Sequence, residues 1–346
     1  MAARQAEADP ALLAELTDRI AGPLHRWRPD AKVLDVRPLT GGNSSLTFLV
    51  DLGGVPAGET PIVLKVAPPG LEPVRNRDVL RQARLQTALR GAGRSLAPQV
   101  HFTDAGFPPG TPPFVAMNLV PGECVEPILR PVDDRPTPDL VRARYLAAAR
   151  ALADLHDTSP ESIGIGDEPV IDLRAEIGRW TRAFETLPTQ MQGEYERAAS
   201  ALLATLPDAL PPVVTHGDYR LGNTLCADDR LEAIIDWEIW SVGDPRVDLS
   251  WFTFFTDDAG HLAAEPGPPA GTPTRAELIG EYERRRGLTV PDLPWFDALT
   301  RYKEAAATGL LLKRAAKHGI QVNPAMARMG PVLPDLVQEV LEIVGR

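Results

Sequence analysis

With 346 residues the chain has room for one large domain or two modest lobes, each around its own core. It is 44% hydrophobic and 24% charged, a globular composition, and no apolar run nears the roughly 20 residues that a membrane span needs. A net charge of −11 argues against nucleic acid as a partner, and two distant cysteines, Cys124 and Cys226, against a disulfide framework or a cysteine-rich zinc site. The charged N-terminus "MAARQAEADPALLAEL" lacks the apolar core of a secretory signal, so a cytoplasmic protein is expected. Only five of the 36 basic residues are lysines (Lys32, Lys65, Lys303, Lys313 and Lys317), so a lysine in an unusual place needs a reason.

A first helix is expected over "PALLAELTDRIAGPLHRW", followed by the strand-like runs "AKVLDVRPLT", "SLTFLVDL" and "PIVLKVAP". "GGNSS" between the first two strands has the composition of a tight turn. A helix is expected from Pro73 to Leu89, then two more strands in "APQVHFTD" and "PPFVAMNLV". Five strands with one helix after the third make a small α+β lobe. From Pro121 helical patterns dominate, from "LVRARYLAAARALADLH" to "VLPDLVQEVLEIVG", interrupted by one β segment, "VVTHGD…NTLCADDRLEAIIDWE", whose "ADDR" reads as a hairpin turn. The Pro- and Gly-rich stretch from Ala259 to Thr274 is expected to be a lid or a disordered flap.

The chemistry concentrates in four places. Lys65 stands among apolar residues from Ile62 to Ala67, where a buried ammonium calls for an anion such as a nucleotide phosphate. An edge strand with a solvated lysine is the plainer alternative. In "THGDYRLGN", Asp218 is followed five residues later by Asn223. In phosphoryl transfer a loop aspartate accepts the proton of the attacking hydroxyl, and an asparagine at the loop's far end binds magnesium. Arg220 between them offers a cation to the transferring group. "IIDWE" adds Asp236 at a strand end, where a carboxylate can turn toward a metal. In "GDPRVDLSW", Asp244 reads as a helix N-cap and Asp248 as a first-turn acid or a buried brace for the loop. Each motif alone has a bland reading as a cap, a turn or a solvated charge. Their order, glycine turn, strand lysine, D-x4-N and metal aspartate, is the order of a kinase.

These residues resemble the aminoglycoside phosphotransferase and choline kinase superfamily. "HGDYRLGN" with "IIDWEIWSVGDPRVDLSW", "TGGNSSLTFLV" and "FVAMNLVPGE" is most similar to the branch that includes the kinase-like domains of some acyl-CoA dehydrogenases. The resemblance implies an α+β, bilobal, protein-kinase-like fold. Residues 1–118 would be a nucleotide-binding lobe with an antiparallel sheet and one helix, and 119–346 a mostly helical lobe with the catalytic loop and acceptor site. It implies Asp218 as catalytic base and Arg220 beside it, Asn223 and Asp236 as Mg2+ ligands, and Lys65 on the α and β phosphates. Gly41, Gly42, Asn43 and Ser44 would form the loop above those phosphates, and Met117, Asn118, Leu119 and Val120 the hinge at the base. Where the superfamily usually offers a glutamate to the lysine, this chain has Gln82. Asp78 would substitute, or Gln82 would bond Lys65 uncharged, or the pair is absent.

The leading expectation is an ATP- or GTP-dependent O-phosphotransferase with a small-molecule hydroxyl acceptor, monomeric or homodimeric. A catalytically silent nucleotide-binding module is the alternative that Gln82 keeps open. Antibiotic, amino alcohol, hydroxyacyl-CoA and sugar acceptors all remain open. Asp257, Asp258 and Glu265 are candidates for an acidic groove, Trp237, Trp240 and Trp251 for a cage or for packing, and Arg179, Arg182 and Arg301 for a coenzyme A site.

Overall fold

A computed structural model describes residues 10–39, 45–93 and 96–345. The expected phosphate-loop residues Gly41, Gly42, Asn43 and Ser44 lie outside the described residues. The chain divides into two compact units, one of residues 1–122 with 232–239, the other of 123–231 with 240–346.

The first unit is a five-stranded sheet with a helix against each face. Strands β1 (Lys32–Pro38), β2 (Leu46–Gly53), β3 (Ile62–Val66), β4 (Val100–Asp104) and β5 (Phe114–Asn118) run in the order β1-β2-β3-β5-β4. Every pairing is antiparallel. The period-2 alternation of side chains sorts the faces. Phe48, Val50, Ile62, Leu64, Val66 and Phe114 pack with Leu16, Ile20 and Leu24 of α1 (Pro10–Trp27). Val115 and Met117 of the opposite face pack with Val79 and Ala83 of α2 (Val79–Gly91). Lys65 pairs in register with Val115, so it shares the α2 face, and its side chain is 13% exposed. The expected helix from Pro73 starts late, because Asp78 caps it by accepting the amide of Arg81 (2.9 Å).

The second unit is mostly helical: α3 (Pro138–His156), α4 (Leu173–Phe184), α5 (Tyr195–Ala204), α6 (Arg246–Phe254), α7 (Arg275–Arg286), α8 (Leu293–His318), α9 (Pro324–Met329) and α10 (Leu333–Val344). Its core brings Ile177, Phe184, Leu202, Phe296, Tyr302 and Val337 together from α4, α5, α8 and α10. A small sheet β6-β10-β7 joins Val170–Ile171, Ser241–Gly243 and Val213–Thr215. Strands β8 (Thr224–Ala227) and β9 (Arg230–Ile234) are joined at the expected "ADDR" turn, where Asp228 takes φ +52°. The β segment therefore holds more strands than the single expected interruption.

The stretch from Ala259 to Thr274 is not a disordered flap. Ala263 and Ala270 are buried in the core, and Asp257 accepts the amides of Ala270, Gly271 and Thr272 (2.8, 2.9 and 2.9 Å). Its prolines and glycines suggest a loose loop, but one carboxylate satisfies the backbone of its last turn. No helix among the described residues is long and apolar enough to cross a membrane.

Candidate active site

Strand β7 ends at Thr215 and delivers the chain directly into "HGDYRLGN". Gly217 turns at φ +84°, a conformation that suits a residue without a Cβ. From α6, the fully buried Asp248 accepts the amides of His216 (2.6 Å) and Gly217 (2.8 Å). His156 of α3 meets the same carboxylate (3.4 Å) and is itself bonded to the Tyr282 hydroxyl (2.7 Å). Burial pushes the Asp248 carboxyl up, but the hydrogen bond with His156 and the nearness of His156, His216 and Lys303 hold it below the ordinary range. His216 returns the support, its Nδ1 accepting the Asp218 amide (3.2 Å). Asp248 is thus the buried brace, and His216 orients the loop.

Both carboxylate oxygens of Asp218 are engaged. Oδ2 accepts from the Asn223 amide (2.7 Å), which also donates to the Asp218 carbonyl (2.8 Å). The D-x4-N spacing closes because Leu221–Asn223 form a single 3-10 turn. The Asn223 amide nitrogen is thus committed to Asp218. Asp218 Oδ1 accepts from the indole of Trp251 (2.7 Å) and lies 3.4 Å from Arg220 Nε.

Arg220 also reaches Glu126 (3.5 Å), and its guanidinium stands 5.6 Å from the Phe255 ring. Burial pulls its pKa down, but the carboxylates of Asp218 and Glu126 more than reverse that, so the group stays cationic. Glu126 is pushed up by burial, against the pull of Arg220, and is tied to the Tyr145 hydroxyl (2.7 Å) and the Gly222 amide (2.9 Å). A Cβ at Gly222 would meet the movable end of the Arg220 side chain and lie 3.1 Å from the Glu126 Cβ.

In the first unit, Lys65 Nζ pairs with Asp236 Oδ1 (3.1 Å). Asp236 stands at φ +65°, strained for a non-glycine residue, a kind of backbone that clusters at functional sites. Its side chain is 44% exposed. Gln82 is buried and donates to the Asn76 carbonyl (3.3 Å), and Asp78 is committed to its helix cap, so Lys65 is paired with neither. Met117 and Asn118 end β5, with Asn118 bonded through main chain and side chain to Gln99 (2.9 and 2.6 Å); Leu119 and Val120 follow the strand, Leu119 exposed.

Among the described residues no group of three or more His, Cys, Asp or Glu is placed to hold a metal by itself. Taken separately, Asn223 in the second unit and Asp236 in the first each offer a hard oxygen donor, the kind that Mg2+ takes. The donor chemistry fits that ion.

The other candidates sort differently. Trp237 and Trp240 are buried, Trp237 bonded to the Ile234 carbonyl (2.8 Å), and Trp251 serves Asp218, so the three are packing and support rather than a cage. Asp258 accepts the Arg275 amide at the start of α7 (3.0 Å) and Glu265 pairs with Arg328 (2.7 Å), so with Asp257 these acids are structural. Arg301 pairs with Glu339, and Arg179 lies 4.8 Å from the Trp180 ring. The N-cap of α6 is Pro245 rather than Asp244, which stands one residue earlier, accepting the Arg246 amide (3.0 Å) and pairing with the buried Arg246 guanidinium (2.7 Å). Trp251, Glu126 and Lys303 were not singled out for the loop; the rarity of lysine was the one available sign for Lys303.

A bound, braced aspartate–asparagine loop following a kinase-like sheet defines a phosphotransferase fold, and the comparisons agree. The family model described as Phosphotransferase enzyme family matches residues 35–299, and the chain belongs to that family. Acyl-CoA dehydrogenase family member 11 of Pongo abelii is 26% identical over 287 residues, 79% of this chain and 35% of the relative. The protein of that name in Gallus gallus is 28% identical over 291 residues, so the chain spans about a third of the length of these curated relatives. Among solved structures, one assigned as an aminoglycoside phosphotransferase of Ralstonia eutropha aligns with a TM-score of 0.70 at 21% identity, covering 94% of this chain and 98% of its own. A choline/ethanolamine kinase family protein of Mesorhizobium loti aligns at 0.56 and 18%, covering 96% and 95%.

Proposed function

We propose that the chain moves the γ-phosphate of ATP or GTP to a hydroxyl of a small molecule. The observation that carries this reading is the Asp218 carboxylate, held on a loop whose amides are locked by buried Asp248 and bonded to Asn223 five residues on. Asp218 takes the acceptor's proton. The acceptor oxygen forms a bond to the γ-phosphorus as the bridging P–O bond breaks, and the nucleoside diphosphate leaves. Asn223 and Asp236 are each proposed as a magnesium ligand, the ion supplying charge neutralisation for the phosphates. Lys65 turns from Asp236 to the α and β phosphates, with Gly41, Gly42, Asn43 and Ser44 above them. Met117 to Val120 present backbone to the base, and Arg220 keeps a cation beside the reacting carboxylate. Positioning and electrostatics suffice, since phosphoryl transfer asks little covalent work of the protein. Gln82 supports the shape of the α2 start rather than the ion pair.

Acid groups that would greet a polycationic antibiotic are committed elsewhere, and relatives named as acyl-CoA dehydrogenases put hydroxyacyl-CoA esters in the panel. The test couples nucleoside diphosphate release to Mg·ATP or Mg·GTP across aminoglycosides, amino alcohols, hydroxyacyl-CoA esters and sugars, with Asp218→Ala as blank. Acceptor-dependent release absent from the blank is expected. Release of equal size in the blank defeats the assignment.

A further inference from the structure

Lys303 is one of five lysines in the chain and sits on α8 with only 3% of its surface exposed. Among the described residues no carboxylate bonds it directly. Its ammonium donates to the Gly217 carbonyl, in the catalytic loop, and stands 3.9 Å from the centre of the Trp251 ring, with Trp180 farther off at 5.9 Å. A buried ammonium is costly, and a helix surface offers many cheaper places for it. Burial lowers its pKa, opposed by the nearby Glu176, Asp218 and Asp248.

The other face of this arrangement is Trp251, on α6, whose Nε1 donates to Asp218 Oδ1 (2.7 Å). A cation against an indole ring is attracted by the ring's negative face and draws electron density from it, which strengthens the N–H as a donor. The lysine, the ring and the carboxylate therefore form one line of polarisation, cation to π-face to N–H to oxygen. The same lysine fixes the carbonyl of the residue just before Asp218, so main chain and side chain of the aspartate are set by one charge. Asn223 holds the second oxygen.

We infer that Lys303 and Trp251 are positioning residues, a cation–indole brace that fixes the orientation of the Asp218 carboxylate for phosphoryl transfer. This rests on the reading of Asp218 as the base. Trp251 of α6 reaches that carboxylate directly, and Lys303 of α8 acts on it through the indole ring, so its direction is set by two helices and not by the loop alone.

The test labels tryptophan with 15N and reads the indole signals of the six tryptophans, that of Trp251 being the one lost in Trp251→Phe. The Trp251 signal is expected to lie downfield, to move upfield in Lys303→Met and in Asp218→Asn, and to return in Lys303→Arg. Turnover is read as ADP release from Mg·ATP with water as acceptor. Trp251→Phe and Lys303→Met are expected to lower kcat roughly 10- to 100-fold with the KM for ATP unchanged, and Lys303→Arg to restore part of it. An indole signal unmoved by Lys303→Met overturns the brace, as does full kcat in Trp251→Phe. Where Asp218→Ala also turns over at the wild-type rate, the kinase reading falls and the inference with it. Where that blank is dead and Trp251→Phe is not slowed, the brace alone falls. Should water be too poor an acceptor to register, the indole shifts decide.

Discussion

Asp218 and Lys65 are built into their surroundings in opposite ways. Around Asp218, in the second unit, nearly every polar neighbour is buried and committed: Asp248 to the loop amides, His156 to Asp248, Tyr282 to His156, Glu126 to Tyr145 and Gly222. Around Lys65, in the first unit, the partner among the described residues is Asp236, itself 44% exposed and on strained backbone. A group that must act as a base is worth most when it costs no reorganisation at the moment of reaction. A lysine that must receive a phosphate is better held by a partner that can let go. On the roles proposed above, the contrast sets a preorganised aspartate against a provisionally paired lysine.

Asp218→Ala probes the first half most severely. Loss of a general base removes roughly 10²–10⁴-fold of rate, and no phosphate contact goes with it. Transfer is expected to vanish while the nucleotide still raises the Tm; a variant that transfers at the wild-type rate would end the contrast.

Asp248→Ala attacks the commitment itself. It strips the buried His216 amide, the part-buried Gly217 amide and His156 of their shared partner, which costs about 3–5 kcal/mol of stability, read by urea unfolding. The pH dependence follows from the same carboxylate. Its folded-state pKa lies below the unfolded value, so its contribution is complete above about pH 5 and is lost as the pH falls through the folded value. Asp248→Asn is expected to be less stable than wild type at neutral pH and to lose less on acidification. Parallel acid limbs for the two proteins would mean that Asp248 does not carry the loop.

How much of this contrast was legible in the sequence varies by residue. The five strands and α1 of the first unit follow the hydrophobic periods closely, because period-2 faces that must be buried against a helix leave little choice. The closure of Asp218 on Asn223 was legible, because a D-x4-N spacing lets one short turn bring the amide back to the carboxylate. Trp251 was not, since packing and hydrogen bonding by a tryptophan at helical spacing read alike, and only the third dimension aims its N–H at Asp218. The flap at Ala259–Thr274 misled for a similar reason: composition registers prolines and glycines but not the single carboxylate of Asp257 that collects three amides. The late start of α2 turns on Asp78, a capping residue in a run that otherwise reads as helix.

Lys65→Met tests the provisional half. Removing one charge-assisted contact worth roughly 1.5–3 kcal/mol is expected to weaken nucleotide binding about 10- to 100-fold. Without nucleotide the variant should be nearly as stable as wild type, because a pair with a half-exposed Asp236 contributes little. Calorimetric titration with Mg·ATP checks the first expectation and a thermal melt the second. Unchanged affinity would make Lys65 structural.

Gln82→Glu asks how far the pairing of Lys65 can be pushed. In the present structure Gln82 is buried and donates to the Asn76 carbonyl, a bond that a carboxylate cannot make. The glutamate therefore loses that donor and buries a charge, at about 1–3 kcal/mol. Against this stands the ion pair that the resemblance associates with position 82, which would draw Lys65 from Asp236 and leave Asp236 to a metal. The variant is expected to melt below wild type when ligand-free, and to recover part of the gap once Mg·ATP is added. That recovery reports a carboxylate whose cost is offset only when Lys65 and Asp236 have parted. A gap that Mg·ATP leaves untouched would mean that position 82 shapes the start of α2 and nothing more, and that this chain positions its lysine without the helix.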